Sequence, residues 1–193
     1  MSEVGSRKLL SPGASQFPVA WYFDEKLFEL EKKLIFDAGP GYVGHELMIP
    51  EVHDYRSQEW NDHARLLVRQ PDACYEMSNV CRHRQAIMLA GAGNAKNIVC
   101  PIHRWTYDSG GELIGAPHFP ANPCLNLAKQ KLENWQGLLF KGPRSANADL
   151  AGMKVGSELK FDGYKLDHVE LHQCNYNWKT FIEVYLEDYH VVP

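Results

Sequence analysis

The sequence predicts an α+β protein: an all-β domain preceded by a helix and followed by the first strand and helix of a further, incomplete domain. Three observations predict it. A stretch near the N-terminus repeats its apolar residues at helical spacing, the long middle section alternates short apolar runs with turn signals, and the C-terminal section passes from period two to helical period.

The elements follow in order. Met1 to Pro18 is polar and interrupted by Pro12 and Gly13, which reads as a flexible leader without the apolar stretch of a secretory signal. Residues 24–36 read as a helix: Asp24 can cap it, Leu27, Phe28, Leu30, Leu34 and Ile35 share a face, and Ala38-Gly39-Pro40-Gly41 stops it. From Gly41 to about Gly142 the apolar runs are short: Tyr42-Val43, Ala64 to Val68, Tyr75 to Val80, Asn97 to Cys100 and Leu138 to Lys141. Asp108-Ser109-Gly110-Gly111 reads as a hairpin turn, because glycine accepts positive φ. Residues 143–163 resemble a linker. Tyr164 to Asn175 alternates as a strand does, and Trp178 to His190 reads as a helix with Phe181, Ile182, Tyr185 and Tyr189 on one face. The expected division is an N-terminal arm and helix (1–40), an all-β domain (41–149), and a linker with the start of another domain (150–193).

A chain of 193 residues buries a sizeable core. Its net charge of -4 offers no basic excess for nucleic acid and no polybasic tail for a membrane. No apolar run reaches the roughly 20 residues of a membrane helix, and a cytoplasmic protein is expected. Five cysteines, an odd number, argue against a complete disulfide framework and for free thiols and metal ligands.

The chemistry concentrates in Cys81-Arg82-His83 and, 16 residues later, Cys100-Pro101-Ile102-His103. Each half supplies one Cys and one His. A Rieske-type [2Fe–2S] centre needs this mixture, two thiolates on one iron and two neutral imidazoles on the other. Zinc accepts the same ligand types, but structural Cys₂His₂ sites usually take both cysteines from one knuckle and both histidines from a helix. Cys74, Cys124 and Cys174 have no ligand spacing and read as buried thiols; Trp105 and Trp135 read as core, and the remaining histidines as ordinary surface or core residues. Arg82, Arg84 and Arg104 flank the motif, where positive charge favours an electron donor.

Cys81-Arg82-His83-Arg84, then Cys100 to Asp108 and Gly110-Gly111-Glu112-Leu113, resembles the α subunit of Rieske non-haem iron (aromatic-ring-hydroxylating type) oxygenases. Trp21-Tyr22 and Tyr42-Val43-Gly44-His45-Glu46 extend the resemblance upstream, so that it covers about residues 20–193. It implies a Rieske [2Fe–2S] domain followed by the beginning of a helix-grip catalytic domain. The family commonly has Gly where this chain has Gln85 and Arg104, and Tyr where it has Ile102. Respiratory Rieske proteins add a disulfide-forming cysteine to each loop, where Ala86 and Ile102 stand here, and a Ser where Trp105 stands. Fewer hydroxyl donors imply a low potential, with Tyr107 the remaining donor.

The same resemblance makes His190 a ligand of a mononuclear Fe(II) and Glu187, three residues earlier, the carboxylate that bridges the two metal sites. The family usually has Asp there; Glu occurs in branches acting on quaternary amines. The second iron histidine belongs five residues after His190, beyond Pro193, so the resemblance implies a chain cut short early in its catalytic domain and not competent alone for oxygenation. It further implies a reductase or ferredoxin as electron donor, a small organic substrate with O₂, and a homotrimer. The expected function is the electron-transfer portion of a mono- or dioxygenase. A stand-alone Rieske ferredoxin needs only about 100 residues, and a zinc-stabilised interaction module is the third reading.

Overall fold

A computed structural model describes residues 17–186, apart from 154, 155 and 157. In chain order the elements are α1 (Glu25–Glu31), β1 (Gly41–His45), β2 (Asp54–Gln58), β3 (Asp62–Arg69), β4 (Cys74–Ser78), β5 (Ala92–Asn94), β6 (Asn97–Val99), β7 (Thr106–Asp108), β8 (Leu113–Gly115), β9 (Lys129–Lys131), β10 (Glu133–Trp135), β11 (Leu138–Lys141), α2 (Ala146–Leu150) and α3 (Trp178–Tyr185). They form two compact units, Leu34–Leu171 and a smaller one built from both ends of the chain.

The larger unit holds three antiparallel sheets, ordered β5-β2-β3-β4-β9, β1-β11-β10 and β6-β7-β8. Its organiser is β3. Leu66 and Val68 enter one core with Met77, Ile98, Trp105, Tyr107 and Leu113, while Leu67 enters another with Val43, Ile49 and Leu139. A strand buried on both faces needs a continuous apolar run rather than alternation, which is why Leu66-Leu67-Val68 is uninterrupted. The β7–β8 hairpin forms at the expected turn. Asp108 accepts the Glu112 amide on its side chain at 2.8 Å and the Gly111 amide on its carbonyl at 3.0 Å. Gly111 has φ of 86°, and a Cβ there would meet the Met77 sulfur at 2.8 Å, so both the turn and its packing require glycine.

In the smaller unit Asp24 caps α1 as expected, its Oδ1 accepting the amides of Lys26 at 2.8 Å and Leu27 at 3.2 Å. The single helix expected over 24–36 changes hydrogen bonding at its end, where Lys32–Phe36 is a π-type turn. Glu31 of α1 and Lys179 of α3 are both buried and meet at 2.7 and 2.9 Å, and the indole N–H of Trp178 donates to the same carboxylate at 2.9 Å. The Lys179 ammonium, first among the causes, holds the Glu31 carboxyl below its ordinary value. Asn177 caps α3 through its Oδ1 and also donates to the Tyr22 carbonyl at 3.1 Å.

Two expectations are corrected. Tyr164 to Asn175 forms no strand: none of the ladders of the described residues includes it, and alternation makes a strand only where a neighbour takes its backbone hydrogen bonds. Of the three thiols without ligand spacing only Cys74 is buried, whereas Cys124 and Cys174 are exposed. Trp105 is core, and Trp135 is half-buried.

Candidate metal centre

Two loops build the centre. The first, residues 79–91, joins β4 to β5; the second, residues 100–105, joins β6 to β7. They share a turn. The Gln85 amide donates to the Cys81 carbonyl at 2.9 Å, and the Arg104 amide donates to the Cys100 carbonyl at 3.1 Å. In each the fourth residue after the cysteine is left-handed, with φ of 58° at Gln85 and 57° at Arg104. The Cys81 amide is held by Ala86 and the Cys100 amide by Trp105. Matching turns point a Cys and a His from each loop into the same region.

The first loop has a further fastening that no spacing motif announces. Asn79 is fully buried. Its amide group donates to the carbonyls of His63 at 2.9 Å and Leu89 at 2.7 Å, and its Oδ1 accepts the Leu89 amide at 2.9 Å. The Met88 amide donates to the Asn79 carbonyl at 3.0 Å. One side chain therefore joins both ends of the loop and ties them to β3. The only trace in the sequence is an amide residue ending the apolar run of β4.

The four candidate ligands stand as two pairs. Cys81 and Cys100 are 1% and 2% exposed in one core. The Tyr107 hydroxyl lies 3.7 Å from the Cys81 sulfur and accepts the Arg82 amide at 3.0 Å. Burial above all, then the Cys81 contact and the charge of both thiols, pushes the Tyr107 phenol up, while the Arg82 amide opposes the shift. The hydroxyl so keeps its proton and can donate to sulfur. On the outer side the His83 and His103 rings are 4.6 Å apart, edge to face. His83 is half-buried and His103 exposed. Trp105 stacks on His83, and Phe119 packs edge-on against both, at 6.0 and 5.1 Å. Phe119 carries no local signal of this role; it sits between Pro117 and Pro120 in a loop distant in sequence.

This set fits a two-iron cluster. Among the described residues no group of three His, Cys, Asp or Glu side chains is gathered to hold a single metal ion; two thiols and two imidazoles are the donor set that a two-iron cluster would take, a pair on each iron. His83 Nδ1 is buried without a hydrogen-bond partner, a costly state that a metal bond would relieve. Burial first, then His103 and Arg84, pulls the His83 imidazole below its ordinary value, favouring the neutral form that binds metal. Glu187 and His190 lie outside the described residues.

The Rieske [2Fe-2S] domain family matches residues 42–133. A putrescine 2-hydroxylase of Ralstonia nicotianae is 58% identical over all of this chain and 53% of its own length. A putrescine 2-hydroxylase of Bordetella bronchiseptica is 50% identical, again over all of this chain and 48% of its own. Among solved structures, the quaternary ammonium Rieske monooxygenase CntA in complex with L-carnitine is similar at a TM-score of 0.73 and 26% identity, covering 90% of this chain and 53% of that one. The chain spans about half the length of the curated relatives it matches.

Proposed function

We propose that this chain, which carries a Rieske [2Fe–2S] domain and matches non-haem iron oxygenases over about half their length, is the electron-transfer portion of such an oxygenase. The observation that supports the reading best is the paired arrangement of Cys81, Cys100, His83 and His103. When bound, the cluster supplies one-electron transfer. Cys81 and Cys100 would hold its inner side and His83 and His103 its outer side. Tyr107 would give the inner side a hydrogen bond. Trp105 and Phe119 would keep water from His83, while His103 stands exposed.

For the whole protein the reading is a hydroxylase that uses O₂ and receives electrons from a reductase or ferredoxin. Its substrate class is a small aliphatic diamine such as putrescine, because two relatives matched along all of this chain carry that name. His190 is proposed as a ligand of the mononuclear iron and Glu187 as the carboxylate between the two metals. The assembly is proposed to be a homotrimer in the cytoplasm; among the described residues no helix is long and apolar enough to cross a membrane.

The test is an absorption and EPR spectrum of the chain before and after reduction, with metals and sulfide counted. A red-brown protein with the reduced-state signal of a Rieske centre and about two irons per chain is expected. A colourless protein holding about one zinc would replace electron transfer with a structural role. For the whole protein, putrescine supplied with O₂ and a reductase should gain one oxygen; a product formed only from other amines would move the substrate class.

A further inference from the structure

Away from the ligand loops, the larger unit holds a cavity of about 560 Å³ lined by residues of β3, β4, β9 and β11. That volume lies in the range of small-molecule sites. The strand registers explain which residues meet there. Glu76 of β4 stands opposite Gln130 of β9, and Arg65 of β3 stands diagonal to Glu76, two positions from Leu67, the partner of Glu76. Opposite and diagonal neighbours of this kind share one face of a sheet, and all three residues line the cavity. Leu67, on the same face, shares a core with Val43 of β1 and Leu139 of β11. The second sheet therefore packs here, and its Lys141 reaches Glu76.

The polar groups of the cavity divide into satisfied and open ones. The Glu76 side chain is 5% exposed and its oxygens are taken. Its Oε1 accepts from Gln58 Nε2 at 3.0 Å and Lys141 Nζ at 2.8 Å, and its Oε2 accepts from Lys141 Nζ at 3.0 Å. Gln58 is fully buried. The Lys141 ammonium is thereby fixed, partly exposed, with one of its three donors left over. Arg65 is open. Its Nε stands 3.8 Å from the Asp62 carboxylate, too far for a hydrogen bond, and both side chains are well exposed, so the pair contributes little. Among the described residues no hydrogen bond occupies the Arg65 guanidinium. Glu76 and Lys141 cancel as a pair, which leaves the charge of Arg65 unmatched. Asp37, also at the cavity, is exposed and acts through water. The Lys129 ammonium lies over the Tyr75 ring, on the opposite face of the sheet.

We propose that this cavity binds a small dicarboxylate of succinate's size, one carboxylate held by the Arg65 guanidinium and the other by the remaining Lys141 donor and the Gln130 side-chain amide. The open groups are all donors, which selects an anion with oxygen acceptors. Guanidinium groups bind carboxylates through two parallel hydrogen bonds. Arg65 and Glu76 are diagonal neighbours, a spacing of about 7–8 Å, and Lys141 rests on Glu76. A single carboxylate on Arg65 would therefore leave Lys141 unmatched, and two carboxylates satisfy both. Gln58 and Glu76 order the ammonium before a ligand arrives, so little side-chain freedom is lost on binding. None of these residues belongs to the two ligand loops, and the inference stands independently of the electron-transfer reading.

The experiment is calorimetric titration of the chain at low salt with succinate, acetate, inorganic phosphate and putrescine. Succinate is expected to bind with a dissociation constant of about 1 mM or tighter, and acetate about tenfold or more weakly. Arg65→Gln is expected to weaken succinate binding about tenfold or more. Lys131→Gln, which removes one positive charge outside the cavity, is expected to change it about twofold at most. Glu76→Gln/Lys141→Met removes the buried pair without leaving either charge alone, and should bring succinate down to the level of acetate. Where that double variant does not fold, as circular dichroism would show, Gln130→Ala on the exposed strand β9 should weaken succinate about threefold or more. No succinate binding, or equal losses in Arg65→Gln and Lys131→Gln, would overturn the proposal. Acetate or phosphate binding as tightly as succinate would overturn it too, since the cavity would then take any small anion. Putrescine binding there in place of succinate would assign it to cations instead.

Discussion

The imidazole of His83 lies parallel to the indole of Trp105, with ring centroids 5.0 Å apart and planes 7° from parallel. The two residues belong to different loops, so the stack fixes the orientation of a candidate ligand in one loop by a core residue of the other. Trp105 is 1% exposed. Trp105→Leu removes the flat surface and leaves a cavity, and is expected to cost about 3 kcal/mol. Thermal unfolding checks the stability loss, and broadened EPR lines from the bound cluster check the loss of ligand orientation. A sharp, unshifted spectrum would show that His83 is held by something else.

Tyr107→Phe removes the hydroxyl facing the Cys81 sulfur. A hydrogen bond to a charged acceptor favours the more negative, reduced state, and a differential of about 1 kcal/mol corresponds to on the order of 40 mV for one electron. The variant's potential is expected to fall by that order in protein-film voltammetry. An unchanged potential would mean that the Arg82 amide contact is the hydroxyl's whole role.

Asn79→Ala deletes the side chain that joins the ends of the first loop. Three backbone partners lose their bonds in a fully buried place, and an expected loss of about 3 kcal/mol follows from unsatisfied groups of this kind. Urea unfolding measures it. Asn79→Asp keeps the shape but cannot donate, so it should be no better than Ala; a near-native Asp variant would contradict the accounting.

Gln85→Gly and Gln85→Val should move in opposite directions. At φ of 58° a β-branched residue is expected to lose about 1–2 kcal/mol. Glycine relieves the left-handed strain while freeing the unfolded chain, leaving a net change between zero and about 1 kcal/mol in favour of the fold. A melting temperature for the Gly variant clearly below that of the parent would show that the Gln85 side chain contributes contacts beyond its backbone.

Glu133 predicts a pH effect. Its carboxylate accepts from the Ser145 hydroxyl at 2.5 Å, the Ala146 and Asn147 amides at 2.6 and 3.1 Å, and the Asn147 side chain at 2.8 Å. These bonds, the Ser145 hydroxyl first, hold the carboxyl down at about 2 against an ordinary value of 4.5. A depressed carboxylate stabilises the fold above the ordinary value and loses that stabilisation as pH falls toward the folded one. Parent stability should therefore drop between about pH 4.5 and 2 more steeply than that of Glu133→Gln, as acid titrations followed by circular dichroism would show. Parallel curves would place the acid sensitivity elsewhere.

The Cys-and-His pattern was the most legible feature of the sequence, because a cluster that takes one Cys and one His from each of two loops would leave such a local pattern. In the fold, Cys81 and Cys100 share one core and the rings of His83 and His103 meet edge to face. Five β runs with apolar buried residues were legible, whereas β2, whose buried residues are Ser57 and Gln58, was not, and Asp24 caps the first helix as its position suggests. Contacts that join distant segments were not. The stack of Trp105 on His83 and the packing of Phe119 depend on loops meeting in space. The bonds from Asn79 depend on where β3 runs. Tyr164 to Asn175 shows the converse: its alternation is real, but alternation specifies a face and not a neighbour. Cys124 and Cys174 failed for a related reason, since a thiol's burial is decided by the surrounding chain.

The buried pair of Glu31 and Lys179 has a consequence for the order of folding. Its partners are separated by 148 positions in the sequence, and nearly all of the intervening chain belongs to the other compact unit. On a ribosome, α1 emerges first and then waits while the β-rich unit is made, because its lysine follows that unit in the sequence. Closing so long a loop in an unfolded chain carries an entropic cost that a folded insert largely removes by shortening the effective tether. The smaller unit is thus expected to form after the β-rich one, and at synthesis rates of about 5–20 residues per second its first helix spends about 7–30 seconds without the ammonium group that its buried carboxylate requires.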